Sequence, residues 1–356
     1  MHSLDDLKLI KKYDKSGMLE TIESFPIQCE DAKNIGSALR LPDSYRIPYY
    51  NIVCAGLGGS AAGADILRSY LWDEAKVPLF VNRNYLLPAF VDDRTLVVVS
   101  SYSGDTEETI SAYRCARKKG AKVVAITSNG LLRKLAGEDN IPVIPIPKGL
   151  QPRCAIGYLF FPLLILLSKT SLVKNKARDI DETIKILDEI KRNKTGFDVP
   201  EKKNIAKQIA SSLYGKYPVI YASQDYMDCA VTRWRAELAE NAKTLSSGHL
   251  FPEMNHNEIV GWQNPAKVLK DFTAIVLRDD VFDHPRISRR MDITTEILKK
   301  EGVKTIDVKP SGRSRLARIF SLIYTGDFVS YYSALLNRID PAPVDRITYL
   351  KKALKK

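Results

Sequence analysis

Short apolar runs separated by polar turns recur along the chain, and their spacing alternates strand with helix. From Tyr49 the segment NIVCAG reads as a continuous apolar strand that breaks into the glycine-rich turn GLGGSAAG, and a helix follows to about Trp72. VPLFVN predicts a second strand. TLVVVSS predicts a third, stopped by the polar turn YSGDT, with a helix from about Glu107 to Lys119 behind it. AKVVAITSN predicts a fourth strand and IPVIPIP a fifth, whose prolines suit a sheet edge. Strands alternating with helices predict a parallel, doubly wound α/β sheet.

The rhythm then pauses and begins again. Residues 168–204 are polar and charged, lack a sustained apolar face, and contain Thr195-Gly196 and Pro200, so they read as a helical connection. YPVIYAS is a strand leading into a helix that carries Trp234 to Lys243; DFTAIVLR, a helix from about Arg286 to Lys300, and the strand VKTIDV follow. TLVVVSS to AKVVAIT in the first half has the cadence of TAIVLRD to VKTIDVK in the second, which points to a duplicated fold with little residue identity. Ahead of both, apolar spacing at Leu7, Ile10, Met18, Ile22 and Ile27 predicts a helical lead-in. The predicted division is a lead-in over 1–45, a first domain over 46–167, a connection over 168–204, a second domain over 205–335 and a C-terminal segment over 336–356.

Composition narrows the function classes. With 356 residues, 45% hydrophobic and 27% charged, the chain has material for two cores. The most apolar run, Ala155 to Leu167, is too short for a membrane span and contains Pro162, and the polar start is no secretory signal. Five scattered cysteines (Cys29, Cys54, Cys115, Cys154, Cys229) form no CxxC, and the four histidines include no HExxH pair, so neither a disulfide framework nor a metal site is expected. The net charge of +12 raises nucleic acid as a partner, but the basic residues spread along amphipathic stretches, and the densest patch, YLKKALKK, reads as a solvated helix end. A small anionic substrate is the simpler reason for a positive field.

Two turns carry candidate chemistry. Gly56-Leu57-Gly58-Gly59-Ser60-Ala61 has the GxGxxA form that lets a backbone approach a phosphate at a helix N-terminus. A nicotinamide enzyme would want an acid at the end of the next strand for the ribose, and Asn82 stands there instead. A tight turn that needs small residues is the alternative. In the second turn, hydroxyls at Ser101, Ser103 and Thr106 around Gly104 offer donors to one phosphate, and the following helix adds roughly half a positive charge. No Walker lysine and no carboxylate pair for Mg²⁺ accompanies them, so these donors suit a phosphate that stays attached. Helix capping by Ser103 or Thr106 is the alternative.

SSYSGDTEET resembles the SYSGNTxET phosphate loop of the sugar-isomerase (SIS) domain, and GLGGSAAG resembles that domain's first turn. The duplication is similar to the phosphoglucose isomerase superfamily. QPRCAIGYLF, ELAENAK, NHNEIVGW and DPAPVDRITYLK resemble the bifunctional phosphoglucose/phosphomannose isomerase family, and the likeness covers most of residues 45–356. Asp105 departs from it, standing where the family usually has Asn. The resemblance implies an α/β fold of two SIS-type domains, each a mostly parallel doubly wound sheet flanked by helices. It implies a cytoplasmic enzyme that interconverts glucose 6-phosphate, and mannose 6-phosphate, with fructose 6-phosphate through a cis-enediolate, with no metal and no redox cofactor.

Such a reaction needs a base for a carbon-bound proton, a cation for the enediolate oxygens and an acid that opens the ring. By resemblance Glu240 is the base, and His256, reaching in from the neighbouring subunit of a homodimer, protonates the ring oxygen. Arg153 faces the enediolate, Lys351 aids ring opening, and the phosphate rests on Ser60, Ser101, Ser103 and Thr106 beside Gly58 and Gly59. Read without the resemblance, Glu240 is equally a surface carboxylate, His256 a structural histidine held by Asn255 and Asn257, Arg153 an ion-pair member and Lys351 a solvated lysine. Glu258 is the nearest group to orient His256. Other readings are a non-catalytic sugar-phosphate sensor, an amino-sugar phosphate isomerase and a nicotinamide dehydrogenase.

Overall fold

A computed structural model describes residues 3–354. Lys355 and Lys356, the end of the basic run YLKKALKK, and Met1 and His2 lie outside the described residues. The chain folds into two compact units: Ser24–Lys185 with Ser314–Ala317, and Met1–Glu23 with Ile186–Arg313 and Arg318–Lys356.

The first of these is built on five strands: β1 (Asn51–Ala55), β2 (Leu79–Asn82), β3 (Thr95–Ser101), β4 (Lys122–Thr127) and β5 (Val143–Pro145). They lie in the order β2-β1-β3-β4-β5, every pair parallel. The central strand β3 is buried at all seven positions, which is why TLVVVSS is apolar without alternation. Val97, Val99, Val123 and Ala125 pack with Ile110, Tyr113 and Leu132 into one core. On the other face the helix Gly59–Tyr70 meets Ile156–Lys169 so closely that a Cβ on Gly63 would lie 2.6 Å from the Leu159 carbonyl oxygen.

The second unit has the strands β6 (Tyr217–Ser223), β7 (Ser247–Phe251), β8 (Phe272–Leu277) and β9 (Lys304–Val308), ordered β7-β6-β8-β9 and again parallel throughout. Each predicted strand forms, so the fold is α/β with two doubly wound sheets. The apolar run at 155–167 is the buried helix Ile156–Lys169, and no helix among the described residues is long and apolar enough to cross a membrane.

Several elements differ from the expectation. The sequence reading gave no strand at Ser247–Phe251, because SGHLF is a half-buried edge with small and polar residues. It gave no helix at Gly130–Glu138 or Arg315–Leu336. The helix expected to reach Lys243 stops at Glu240. The connection thought to lack an apolar face contains the helix Ala177–Ile190, which buries Ile180, Leu187 and Ile190 at helical spacing.

Candidate active site

In an open parallel sheet ligands bind beyond the carboxyl ends of the strands where the strand order reverses, and in the first unit that point lies between β1 and β3. The two candidate turns leave these two strands. After β1 the chain passes through Gly58 at φ +51° into the helix that opens at Gly59. A Cβ on Gly59 would sit 2.5 Å from the Pro152 carbonyl oxygen, so glycine is required for the helix start to meet the turn that carries Arg153.

Ser60, buried, accepts a hydrogen bond of 3.0 Å from the Tyr102 N–H and thereby ties the first turn to the second. Within the second turn Ser101 donates to Thr106 Oγ1 at 3.2 Å and its oxygen accepts from the Gly104 N–H at 3.1 Å. Ser103 accepts from the Asp105 N–H at 3.3 Å. Ser60, Ser103 and Thr106 therefore each accept one bond inside the turns and keep an O–H proton to donate. Thr106 is the N-cap of the helix Glu107–Lys118, whose first N–H groups have no partner within the helix. Hydroxyls and the N-terminal amides of a helix thus lie together beyond the end of β3, an arrangement that can hold an anion.

Asp105 departs from the family pattern without placing its charge on the hydroxyls. Its Oδ1 accepts the Leu131 N–H at 2.9 Å and so caps the start of the helix Gly130–Glu138. Tyr102 braces the same region: its hydroxyl accepts the Leu150 N–H at 2.9 Å and its carbonyl accepts Ser128 Oγ at 2.7 Å. Burial raises the Tyr102 phenol above its usual pKa.

Arg153 is buried, 3% exposed, in the short 3₁₀ turn Pro152–Cys154. Gln28 holds that turn in place by donating to the Cys154 carbonyl at 2.8 Å and accepting the Gly157 N–H at 2.9 Å. Three polar atoms passed over in the sequence are buried here without a hydrogen-bond partner: Ser100 Oγ, Thr109 Oγ1 and Gln151 Oε1. Ser100 is the next-to-last residue of β3, Thr109 sits in the first helical turn after the hydroxyls, and Gln151 precedes the Arg153 turn. The sequence signal for them was their place inside SSYSGDTEET and QPR.

The corresponding strand ends of the second unit carry an ion pair. Between β6 and β8 its strand order reverses, and there Arg318 binds Asp279 through two nitrogens at 2.7 and 2.6 Å, and Tyr226 donates to Asp279 at 2.7 Å. Burial raises the Asp279 carboxyl, yet the bonds from Arg318 and Tyr226 outweigh it and hold its pKa below the usual carboxylate range.

Glu240 is half-buried and ends the helix Asp228–Glu240. Three residues earlier in the chain, buried Glu237 pairs with Arg233 at 2.7 Å, and Arg233 pairs with Asp327 at 3.2 Å; burial raises the Asp327 pKa despite that partner. His256 is exposed at the end of the 3₁₀ turn Glu253–His256. Its neighbours do not hold its ring: Asn255 donates to Thr294 Oγ1 at 2.9 Å and Asn257 to Glu253 Oε1 at 2.7 Å. Nor is Glu258 placed to orient it, since its carboxylate accepts the Tyr221 hydroxyl, which in turn accepts the Trp262 Nε1–H at 2.9 Å. Lys351 is exposed on the helix Asp345–Ala353. The first unit thus gathers Gly58, Gly59, Ser60, Ser101, Ser103, Thr106 and Arg153, and the second carries Glu240, His256 and Lys351. Among the described residues no group of three His, Cys, Asp or Glu side chains could hold a metal ion.

Residues 50–136 match the SIS domain family, and residues 202–354 match the bacterial phospho-glucose isomerase C-terminal SIS domain. The chain is 44% identical over 341 residues to a bifunctional phosphoglucose/phosphomannose isomerase of Caldicellulosiruptor bescii, covering 95% of this chain and 98% of that one. It is 37% identical over 310 residues to a protein of the same description from Aquifex aeolicus, 87% and 92% of the two chains. It is 31% identical over 234 residues to a D-glucosamine-6-phosphate 4-epimerase of Sulfolobus acidocaldarius, 65% and 70% of the two. Among solved structures, a glucose-6-phosphate isomerase like protein of Thermus thermophilus superposes with a TM-score of 0.63 at 19% identity, over 97% of this chain and 99% of that one, a likeness of fold alone.

Proposed function

This chain belongs to the bifunctional phosphoglucose/phosphomannose isomerase family, and on that premise we propose that Glu240 carries hydrogen between C1 and C2 of a hexose 6-phosphate. The enzyme is an aldose–ketose isomerase that takes glucose 6-phosphate and mannose 6-phosphate to fructose 6-phosphate. The phosphate rests on Ser60, Ser101, Ser103 and Thr106, with Gly58 and Gly59 keeping the first turn open to it. His256 delivers a proton to the ring oxygen as the C1–O5 bond breaks, the O1 hydroxyl loses its proton to water and becomes the C1 carbonyl, and Lys351 assists that opening. The Glu240 carboxylate then removes the C2 proton, and the electron pair forms the C1–C2 double bond of a cis-enediolate while the C1 carbonyl becomes an oxyanion. The Arg153 guanidinium, a planar cation with a fork of N–H donors, lies against those oxygens. The O2 proton passes to O1, and return of the carbon-bound proton from Glu240 to C1 leaves the carbonyl at C2. Rotation about C2–C3 in the enediolate lets one base serve both C2 epimers.

The observation that carries this reading is the linked pair of turns, where three hydroxyls accept internal bonds and keep their protons for a ligand. An anion whose phosphate is gripped but not transferred is what such donors suit. An exposed His256 with no bond to its ring supports a role across a subunit interface. So does the C-terminal helix, where Ile347, Leu350 and Leu354 form an exposed apolar stripe at helical spacing, 41%, 56% and 66% exposed. We therefore place the active form as a homodimer, working on a soluble sugar phosphate in the cytoplasm, where five free cysteines stay reduced.

Glu240→Gln tests the base. The variant should keep its KM for both sugar phosphates and lose turnover by roughly 10²–10⁴-fold, the range for removing a general base. Turnover close to the parent's removes Glu240 from that role. The second reading, an amino-sugar phosphate as substrate, draws on the epimerase relative; a coupled assay with glucosamine 6-phosphate beside glucose 6-phosphate decides between them.

A further inference from the structure

A helix leaves its last carbonyls without amide partners, and the usual remedy is a glycine in the left-handed conformation just beyond the end. The helix Asp228–Glu240 ends differently. The residue in the left-handed region is Lys243, at φ +52°, a conformation that strains a lysine and would not strain a glycine. Its ammonium folds back over the helix end and donates to the Glu240 carbonyl at 2.7 Å and to the Asn241 carbonyl at 3.4 Å. The same nitrogen reaches the Asp340 and Pro341 carbonyls at 3.3 and 3.0 Å. One cation thus fastens the terminus that bears Glu240 to the turn that leads into the C-terminal helix bearing Lys351.

The neighbouring residues hold the terminus from the inside. Asn241, 1% exposed, donates to Glu237 Oε2 at 2.8 Å and to Ser330 Oγ at 2.9 Å. Asn337 donates to the Ala242 carbonyl at 2.9 Å and to Thr244 Oγ1 at 3.1 Å. Residues 241–244 are held from several sides, and the Lys243 bond lands on the Glu240 carbonyl itself. We propose that Lys243 is a positioning residue for Glu240, holding the end of its helix so that the carboxylate keeps its place over the C1–C2 bond. The inference rests on the reading of Glu240 as the base. A base must be held within a fraction of an ångström of its productive position, and a displacement of about 1 Å can reduce the rate roughly 10²-fold.

Lys243→Asn keeps a residue that tolerates the left-handed backbone but is too short to reach residues 340 and 341. In the full-length enzyme it should hold KM for glucose 6-phosphate within about twofold while kcat falls by roughly 10- to 100-fold. Lys243→Arg, which can span to the same carbonyls, should recover most of the loss, a rescue that a merely stabilising residue would not show as a split between kcat and KM. If Lys243→Asn does not fold, Lys243→Gly, unstrained at this φ, serves in its place with the same expectation. Unchanged kcat in the Lys243 variant, with Glu240→Gln inactive beside it, overturns the positioning role and leaves the base intact. An active Glu240→Gln overturns the base, and the positioning role with it.

Discussion

Asp279 shows how one buried carboxylate can set the acid limit of a domain. It has 0% side-chain exposure and accepts two bonds from Arg318, one from Tyr226 and one from the Val281 N–H. Because its pKa is depressed in the folded protein, its contribution is fully present above the unfolded carboxylate value near 4 and is lost as the pH falls through the lower folded value. Asp279→Asn breaks a buried pair and leaves Arg318 uncompensated, so it should lower the unfolding free energy by about 3–5 kcal/mol at pH 7. The variant's stability should also fall less steeply than the parent's below pH 4. Chemical denaturation across pH checks both, and an unchanged midpoint at neutral pH refutes the assignment. Nothing around this residue in the sequence RDDVFD separates Asp279 from Asp280, which pairs at the surface with Lys309 and Arg278. Only the fold ranks the two.

The hydroxyl turn depends on how two neighbouring elements pack. Gly104 has φ +79°, and a Cβ there would lie 1.7 Å from the Asn129 carbonyl oxygen, at the turn that opens the helix Gly130–Glu138. Gly104→Ala must move one of the two turns. The backbone conformation alone should remove about 1–3 kcal/mol of stability. The displaced hydroxyls should raise KM for glucose 6-phosphate by about tenfold or more, since each factor of ten is about 1.4 kcal/mol of binding. A KM equal to the parent's would detach this turn from substrate. The strands flanking the turn were legible because the middles of β1, β3 and β4 are buried on both faces and read as unbroken apolar runs. The helix Gly130–Glu138 was not, because its nine residues bury only Leu132 and Ala136, too few for a periodic signal. The edge strand β7 escaped for the related reason that its half-covered positions tolerate Ser, Gly and His.

For the molecule as a whole, the proposed dimer makes a prediction that a lone subunit would not. If His256 serves the neighbouring subunit's site, mixing Glu240→Gln with His256→Ala chains, unfolded and refolded together, builds heterodimers in which one site has both groups intact. Random pairing should then restore about a quarter of the parent activity, from two preparations that are each inactive alone. A mixture as inactive as its parts places His256 in its own subunit's site. The helix that carries Lys351 leaves Ile347 and Leu350 exposed, with Leu354 exposed just beyond its end.

By itself the sequence determined the α/β class, the parallel sheets and the two turns rich in glycine and hydroxyls that leave strand ends. Short apolar runs bounded by polar turns and alternating with helical stretches match parallel strands covered on both faces, and glycines beside hydroxyls between such a strand and a helix suit an anion. It also carried the family, through ELAENAK, NHNE and the C-terminal motif. What only the tertiary structure decided was which polar groups act on one another. Asp105 turns to a neighbouring helix, Glu258 to Tyr221, and the Lys243 ammonium to carbonyls nearly a hundred residues away. Such partners are chosen by geometry across the chain, and hydrophobic periodicity, which reports a residue's own burial, holds no record of them.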